Sequence, residues 1–451
     1  MHFNHRPYQK GETIAAIATA PGEGAVAIVR ISGDKAIEVA QKVYSGRLDQ
    51  YASHTLHFGK IIENDAVVDE VLVAVMRAPR SYTGEDTVEI QCHGGSLISR
   101  RVLEVVLRAG ARAALPGEFT FKAYMNGKLD LAQAEAVQQL IAAKNDLAVS
   151  AAGQQLKGVL SSKIEELQKE LVDIAAMLEA WVDFPEEGLE FAAIPDVIRA
   201  LEKTRWKIQH LRDTFQDGKI VHEGLSLCLV GAPNVGKSSL MNALLGKERA
   251  IVTDVPGTTR DLLEAEMRLG GLHFKLLDTA GIRETTEVIE REGIRRSMAA
   301  MIDADVILFV LDAGRAVSDE EKQLLEQAPQ HKTIPIWNKI DVASAPAGAL
   351  GVSAKTGEGL EALKAAIDQK IWRFGPPSKE EVVITSARHH EALHAAAASI
   401  DQLIVGLRSG TSPEFLASDM RAALFELGTI IGMDITEDIL SAIFSKFCVG
   451  K

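Results

Sequence analysis

The sequence predicts a multidomain chain of mixed class, α/β plus α, in which a doubly wound α/β module is inserted into a helical domain that follows an amino-terminal α+β domain. Three patterns predict this. Short β-branched runs broken by Pro and Gly fill the first stretch, apolar residues then recur every three or four positions, and a continuous apolar strand later opens an alternation of strand and helix signals.

The first stretch runs from Ile14 to about Tyr124, where "AVAIVRIS", "VLVAVM" and "TVEIQC" read as strands of an α+β domain. From "KLDLAQAEAVQQLIAAKNDLA" the period changes. Leu156, Val159, Leu160, Ile164, Leu167, Leu171, Ile174 and Leu178 form the stripe of amphipathic helices, with a break at "DFPEEG". At "LSLCLVG" an apolar strand begins the third pattern, which continues to "IWRFGPP" and implies a parallel sheet wound with helices. After Pro376 and Pro377 the chain is helix-rich again. The expected boundaries are 1–126, 127–222, 223–375 and 376–451, with the second and fourth segments forming one helical domain around the third.

Composition sets limits on function. At 451 residues the chain suits about two to four domains, and 47% hydrophobic with 25% charged residues is ordinary globular composition. Cys92, Cys228 and Cys448 are odd in number and far apart, which argues for a reducing compartment, so a cytoplasmic location is expected. No apolar run approaches ~20 residues and the amino terminus is too polar for a signal segment, so no membrane span is expected. A net charge of −13 would repel a polyanion, so any nucleic-acid contact needs a local basic patch or a partner's surface.

The inserted module carries the sharpest signal. "GAPNVGKSS" fits G-x-x-x-x-G-K-[ST] and sits after the strand "LSLCLV" and before the helix "SLMNALLG". Gly231 and Gly236 let backbone amides wrap phosphates at a helix N-terminus, with Asn234, Val235 and Ser239 in the same loop. Lys237 reaches the outer phosphates, and the Ser238 hydroxyl is placed to ligate magnesium. Further along, "LLDTAG" sets Asp278 at a strand end to hold a magnesium water, followed by Thr279, Ala280 and Gly281, the last near the γ-phosphate. "WNKID" then supplies Asn338, Lys339 and Asp341, and the Asp341 carboxylate can accept from the N–H and amino groups of guanine, which adenine does not offer in that arrangement. Ser353, Ala354 and Lys355 complete the base pocket. GTP is the expected ligand.

One familiar part is missing. The position after D-x-x-G, where small GTPases carry a water-orienting Gln, is Ile282. A polar replacement must come from elsewhere, and "IRETTEVIERE" offers Glu284, Glu287, Glu290 and Glu292, any of which spacing alone equally allows as part of a solvated acidic helix.

The chain resembles the bacterial and organellar tRNA-modification GTPases of the MnmE or TrmE family, essentially from Ile14 to Lys451. The matching stretches are "APGEGAVAIVRISG", "SYTGEDTVEIQCHGG", "PGEFTFKAYMNGKLDLAQAEAV", "DFPEE", "GAPNVGKSSLMNALL", "VPGTTRD", "DTAGIRET", "NKID" and the closing "FCVGK". Many GTPases share the nucleotide motifs, whereas their combination with "GKLDLAQAEA" and a terminal Cys-x-Gly-Lys is specific to this family.

The resemblance implies a Ras-like P-loop GTPase domain and a set of roles. Asn234, Thr253, Val255 and Thr258 would form a potassium site, placing a cation where an arginine finger would otherwise bring charge. Thr259 would complete the magnesium shell with Ser238, Glu290 would orient the attacking water, Lys237 would serve the transition state and Arg283 would support the switch. A homodimer whose nucleotide modules meet face to face is implied, as is a flavin-dependent partner, MnmG or GidA, in a heterotetramer or larger assembly that acts on tRNA.

For domain one the resemblance implies a folate-binding, dimer-forming module. Arg30, Glu89 and Lys128 would hold a formyl- or methylene-tetrahydrofolate, Glu89 pairing the pterin's donor edge and the two bases holding carboxylate oxygens. Read without it, Arg30 ends a strand, Glu89 alternates in one and Lys128 caps a turn. The closing C-x-G-K would fold back toward the folate pocket and bring Cys448 and Lys451 near the one-carbon donor. A buried small hydrophobe is the competing reading of Cys448, and a prenylation box is disfavoured by Lys at its last position. Cys92 and Cys228 read as core.

Two departures from the family pattern stand out: Ser386 replaces the usual Asn ahead of Arg388 and His389, and "IIGM" (430–433) replaces I-T-G-E. The implied function is GTP hydrolysis coupled to adding a carboxymethylaminomethyl or aminomethyl group to the 5-carbon of wobble uridine. A ribosome-assembly GTPase switch and a folate enzyme with a regulatory GTPase part are the alternatives.

Overall fold

The structure is a computed structural model describing residues 9–183, 194–245, 265–269, 272–277, 301–372, 375, 377–378, 381–433 and 435–450. Its contacts divide the chain into two compact units. One comprises Met1–Ile141, Gln155–Thr204 and Ala398–Lys451, the other Ala142–Gln154 and Arg205–Ala397.

The first unit is built on a six-stranded sheet. Its strands are β1 (Ile14–Ile17), β2 (Val26–Ser32), β3 (Thr55–Glu63), β4 (Ala66–Met76), β5 (Thr87–His93) and β6 (Arg112–Ala113), in the order β3-β4-β5-β2-β1-β6. Alternation along β2 and β5 sends Ala27, Val29, Ile31, Val88, Ile90 and Cys92 into one core beneath the helices Ala36–Val43 and Ser96–Arg108. The opposite face receives Arg30 and Glu89, which stand directly across from each other in the β2–β5 register. The sequence reading found β4 and overlooked its partner β3, whose residues are half polar. The two join through Asn64 and Asp65, at φ 48° and 64°, the paired left-handed conformation of a tight type I′ turn.

The helical part of this unit follows the predicted stripe. In the helix Val159–Asp183, Leu160, Ile164, Leu167, Leu171 and Ile174 are buried. They pack against the helix Pro413–Ile431, whose Leu416, Met420, Ala423, Leu427 and Ile430 recur at the same period and are also buried. Gln168 Nε2 donates to the Leu424 carbonyl at 3.3 Å between them. The break at "DFPEEG" lies largely outside the described residues.

The second unit is the doubly wound module. Its strands are β7 (Leu225–Val230), β8 (Ala265–Leu269), β9 (Leu272–Leu277), β10 (Val306–Asp312), β11 (Thr333–Asn338) and β12 (Leu350–Val352), in the order β12-β11-β10-β7-β9-β8. All neighbours run parallel except β8 and β9. Two cores cover the two faces: Leu225 and Leu227 join one, while Cys228 and Val230 join the other with Ile307, Phe309 and Leu311. Because β7 lies between β9 and β10, the chain reverses its direction of winding there. That opens a crevice at the strands' carboxyl ends, where open α/β sheets bind ligands. Among the described residues no helix is long and apolar enough to cross a membrane.

Candidate functional site

The loop leaving β7 turns at the crevice and enters the helix Lys237–Leu245. Asn234 adopts φ 63° and Gly236 φ 94°, and an added Cβ on Gly236 would lie 2.3 Å from Asn338 Nδ2. A glycine is therefore required there both by the backbone and by the close approach of the neighbouring strand. The Lys237 ammonium donates to the Gly231 and Ala232 carbonyls, each at 2.8 Å. Burial pushes its pKa down, and the charge of Glu321 pushes it back up in part.

The base motif is interlocked with this loop. Asn338, 1% exposed at the end of β11, donates through Nδ2 to the Val235 carbonyl at 2.9 Å and accepts through Oδ1 from the Ala354 amide at 3.1 Å. One buried amide thus joins the P-loop, β11 and the loop after β12. Lys339 Nζ donates to the Asn234 carbonyl at 2.8 Å. The exposed Asp341 accepts from the Ser353 hydroxyl at 2.7 Å, and that bond holds its pKa below the ordinary carboxylate value, helped by the charges of Lys355 and Lys339. Ser353 Oγ also accepts from the Thr356 amide, which closes the turn around Ala354 and Lys355.

The structure therefore brings together Asn234, Val235, Gly236, Lys237, Asn338, Lys339, Asp341, Ser353 and Ala354, with Ser238 and Ser239 on the first turn of the helix. Thr253, Val255, Thr258, Thr259, Asp278, Thr279, Ala280, Gly281, Arg283 and Glu290 lie outside the described residues, as does Lys451. Sequence reasoning missed Asp312, whose carboxylate meets Lys339 at 2.7 Å. The available signal was its place: an acid ending an apolar strand beside the P-loop strand.

In the first unit, Arg30 Nε and Nη2 both lie 2.8 Å from Glu89 Oε1. The guanidinium sits 6.0 Å from the Tyr82 ring centroid and 5.7 Å from that of Phe119, within cation–π range. Its Nη1 donates to the Gly450 carbonyl at 3.3 Å. The carboxy-terminal turn is packed in place: Phe444 and Phe447 are buried with Leu131, Ala134 and Val137, and the Cys448 carbonyl accepts from the Gly117 amide at 3.4 Å. Gly450 is buried at φ 97°, with Ile17 O 2.4 Å from where a Cβ would stand. Cys448 itself is exposed, which removes the reading of it as a buried packing residue, whereas Cys92 and Cys228 are buried. Burial, and then the charge of Asp69, raise the Cys92 thiol to about 11.

Lys128 is exposed. Its ammonium donates to the Pro79 carbonyl at 3.2 Å and its stem lies beside Gly84, on the loop that carries Tyr82. At the two departures from the family pattern, Arg388 Nη2 lies 2.9 Å from His389 Nε2, and the Gly432 carbonyl accepts from the Tyr124 hydroxyl at 2.8 Å.

Comparison with known proteins places the whole chain in a family. Residues 13–128 match the family model "GTP-binding protein TrmE N-terminus", and residues 131–448 match "MnmE helical domain". A protein of Protochlamydia amoebophila described as "tRNA modification GTPase MnmE" is 61% identical, with 100% of both chains covered. Proteins of the same description are 44% identical in Chlamydia trachomatis, covering 98% of this chain and 100% of that one, and 41% identical in Clostridioides difficile, covering 98% and 99%. Similarity at this level along the whole length shows that the chain belongs to the MnmE family of tRNA modification GTPases.

Proposed function

We propose that the chain is a potassium-dependent GTPase. With a flavin-dependent partner of the MnmG or GidA kind, it adds a carboxymethylaminomethyl or aminomethyl group to the 5-carbon of wobble uridine in tRNA, with a tetrahydrofolate derivative as one-carbon donor. The observation that carries the nucleotide part is the interlock of Asn338 with Val235 and of Lys339 with Asn234, which fixes a guanine-reading strand end against a phosphate loop.

Within that reading, Lys237 neutralises the outer phosphates and Ser238 and Thr259 hold magnesium. Asn234, Thr253, Val255 and Thr258 would seat potassium, whose positive charge would offset the negative charge developing on the phosphates. Asp278, Thr279, Ala280 and Gly281 line the γ-phosphate side, Glu290 orients water and Arg283 supports that segment. The loop geometry fits this assignment, since the left-handed turn at Asn234 exposes its side chain beside the phosphate loop.

The first unit fits a folate. Arg30 stands over two aromatic rings, both of its contacts with Glu89 fall on Oε1, and Oε2 is the oxygen to take a pterin's donor edge. Lys128 and Lys451 add positive charge for the folate carboxylates, and the exposed Cys448 lies on the docked turn beside that pair. The partner brings flavin and much of the tRNA contact, which accommodates the net charge of −13. A homodimer acting in the cytoplasm completes the reading.

The test is nucleoside analysis of tRNA from cells lacking the gene. Loss of the wobble-uridine group with normal ribosome profiles supports the reading, and restoration by the wild-type chain completes it. Intact modification with disturbed ribosome assembly would replace it with the ribosome-assembly alternative.

A further inference from the structure

Asp312 ends β10, between the strand that carries the P-loop and the one that carries the base motif, and in the β10–β11 register it stands opposite Asn338. Its side chain is 13% exposed. Oδ2 accepts from Lys339 Nζ at 2.7 Å and Oδ1 from the Gly314 amide at 2.8 Å. The same ammonium donates to the Asn234 carbonyl at 2.8 Å, so one cation spans three segments. Arg315, the other cation near Asp312, is held by a two-pronged contact with Glu321 at 2.8 and 2.7 Å.

The backbone around this cation is unusual. Asn234 lies at φ 63° and Lys339 at φ 67°. Left-handed backbone is unfavourable for an L-residue, and only short polar residues such as Asn tolerate it routinely. A lysine held there persists because its surroundings fix it at both ends.

We propose that Asp312 is a positioning residue for nucleotide binding, whose carboxylate aims the Lys339 ammonium across the Asn234 carbonyl so that the guanine pocket and the P-loop turn are set together. The inference rests on the reading of this unit as a GTP site in which Asn234 seats a monovalent cation. Asp312 does not reach the reacting atoms, so removing its charge alters the population of the competent loop rather than the chemical step once nucleotide and cation saturate.

Asp312→Asn separates this role from a local cap. The amide oxygen can still accept from Gly314, whereas the amide nitrogen faces Lys339 and repels it. Using the full chain, GDP affinity is measured by calorimetry and GTP hydrolysis is followed against potassium concentration. The Kd for GDP is expected to rise about tenfold, and the potassium concentration for half-activation to rise with it. Turnover at saturation stays within about twofold of wild type, and nucleotide-free melting is unchanged. Asp312→Glu restores the charge and is expected to recover part of the affinity. A wild-type Kd and potassium response in Asp312→Asn overturns the proposal, and so does an Asp312→Glu chain that melts normally and binds as weakly as the Asn variant. Failure of the wild-type chain to bind guanine nucleotides would instead remove the underlying functional reading.

Discussion

Arg30 donates to the carbonyl of Gly450, 420 residues further along the chain, while its other nitrogens bind Glu89. Replacing Arg30 by Met breaks both contacts and leaves a half-buried carboxylate unpaired. The expected outcome is faster amide hydrogen exchange in the last turn and at least a tenfold loss of folate affinity, since charged hydrogen bonds contribute about 1.5–3 kcal/mol. An unchanged exchange profile from Phe444 to Gly450 would contradict the docking role of Arg30.

Gly450 is the second fixed point of that turn. Ala at this position would need φ near 97° and would place its methyl 2.4 Å from the Ile17 carbonyl oxygen. Gly450→Ala should therefore release the tail without altering the core beneath it. Limited proteolysis is expected to cut near the carboxy terminus earlier than in wild type, and equal cutting times would show that the close approach to Ile17 is not what holds it.

The proposed guanine contact of Asp341 is open to a direct test. Its carboxylate is held by Ser353 as an acceptor, and an Asn there presents an amide donor toward the base instead. Asp341→Asn is expected to weaken GTP binding by about 100-fold or more while favouring xanthosine triphosphate, whose 2-carbonyl accepts where guanine donates. Competition between the two nucleotides provides the readout. A variant that still prefers GTP would place guanine elsewhere.

Acid stability follows from Glu321, 4% exposed at the start of the helix Asp319–Gln327. The hydrogen bond from Arg315 lowers its pKa below the ordinary 4.5, burial opposes that, and the Ser318 amide and hydroxyl add to the lowering. The folded value lies below the unfolded one, so the stabilising contribution is present above pH 4.5 and fades as pH falls through the lower folded value. Glu321→Gln should melt a few degrees earlier at pH 7, with the difference shrinking below about pH 4.5. A constant difference across that range would mean the charge contributes nothing.

Much of the fold was legible because its signals are local. The P-loop, the base motif and the amphipathic stripe each declare themselves within a dozen residues, and the structure places them on the strands, loops and helices that their periods imply. The strand β3 escaped notice because it contributes few buried residues, although Asn64 and Asp65 between two alternating runs were a usable turn signal. Arg30 and Glu89 were found only through family resemblance. Their meeting depends on the β2–β5 register, which no single stretch encodes. Asp312 was hidden for the same reason, since its partner Lys339 lies just past the end of the next strand and reads as part of a motif already explained.

GTP hydrolysis by the full chain in potassium chloride, compared with sodium chloride at equal concentration, tests most directly whether Asn234 seats a cation that serves in place of a guanidinium. A rate at least about tenfold higher in potassium is expected, as for loss of one transition-state charge contact, with the preference abolished in Asn234→Ala. Equal rates in the two salts would contradict the account.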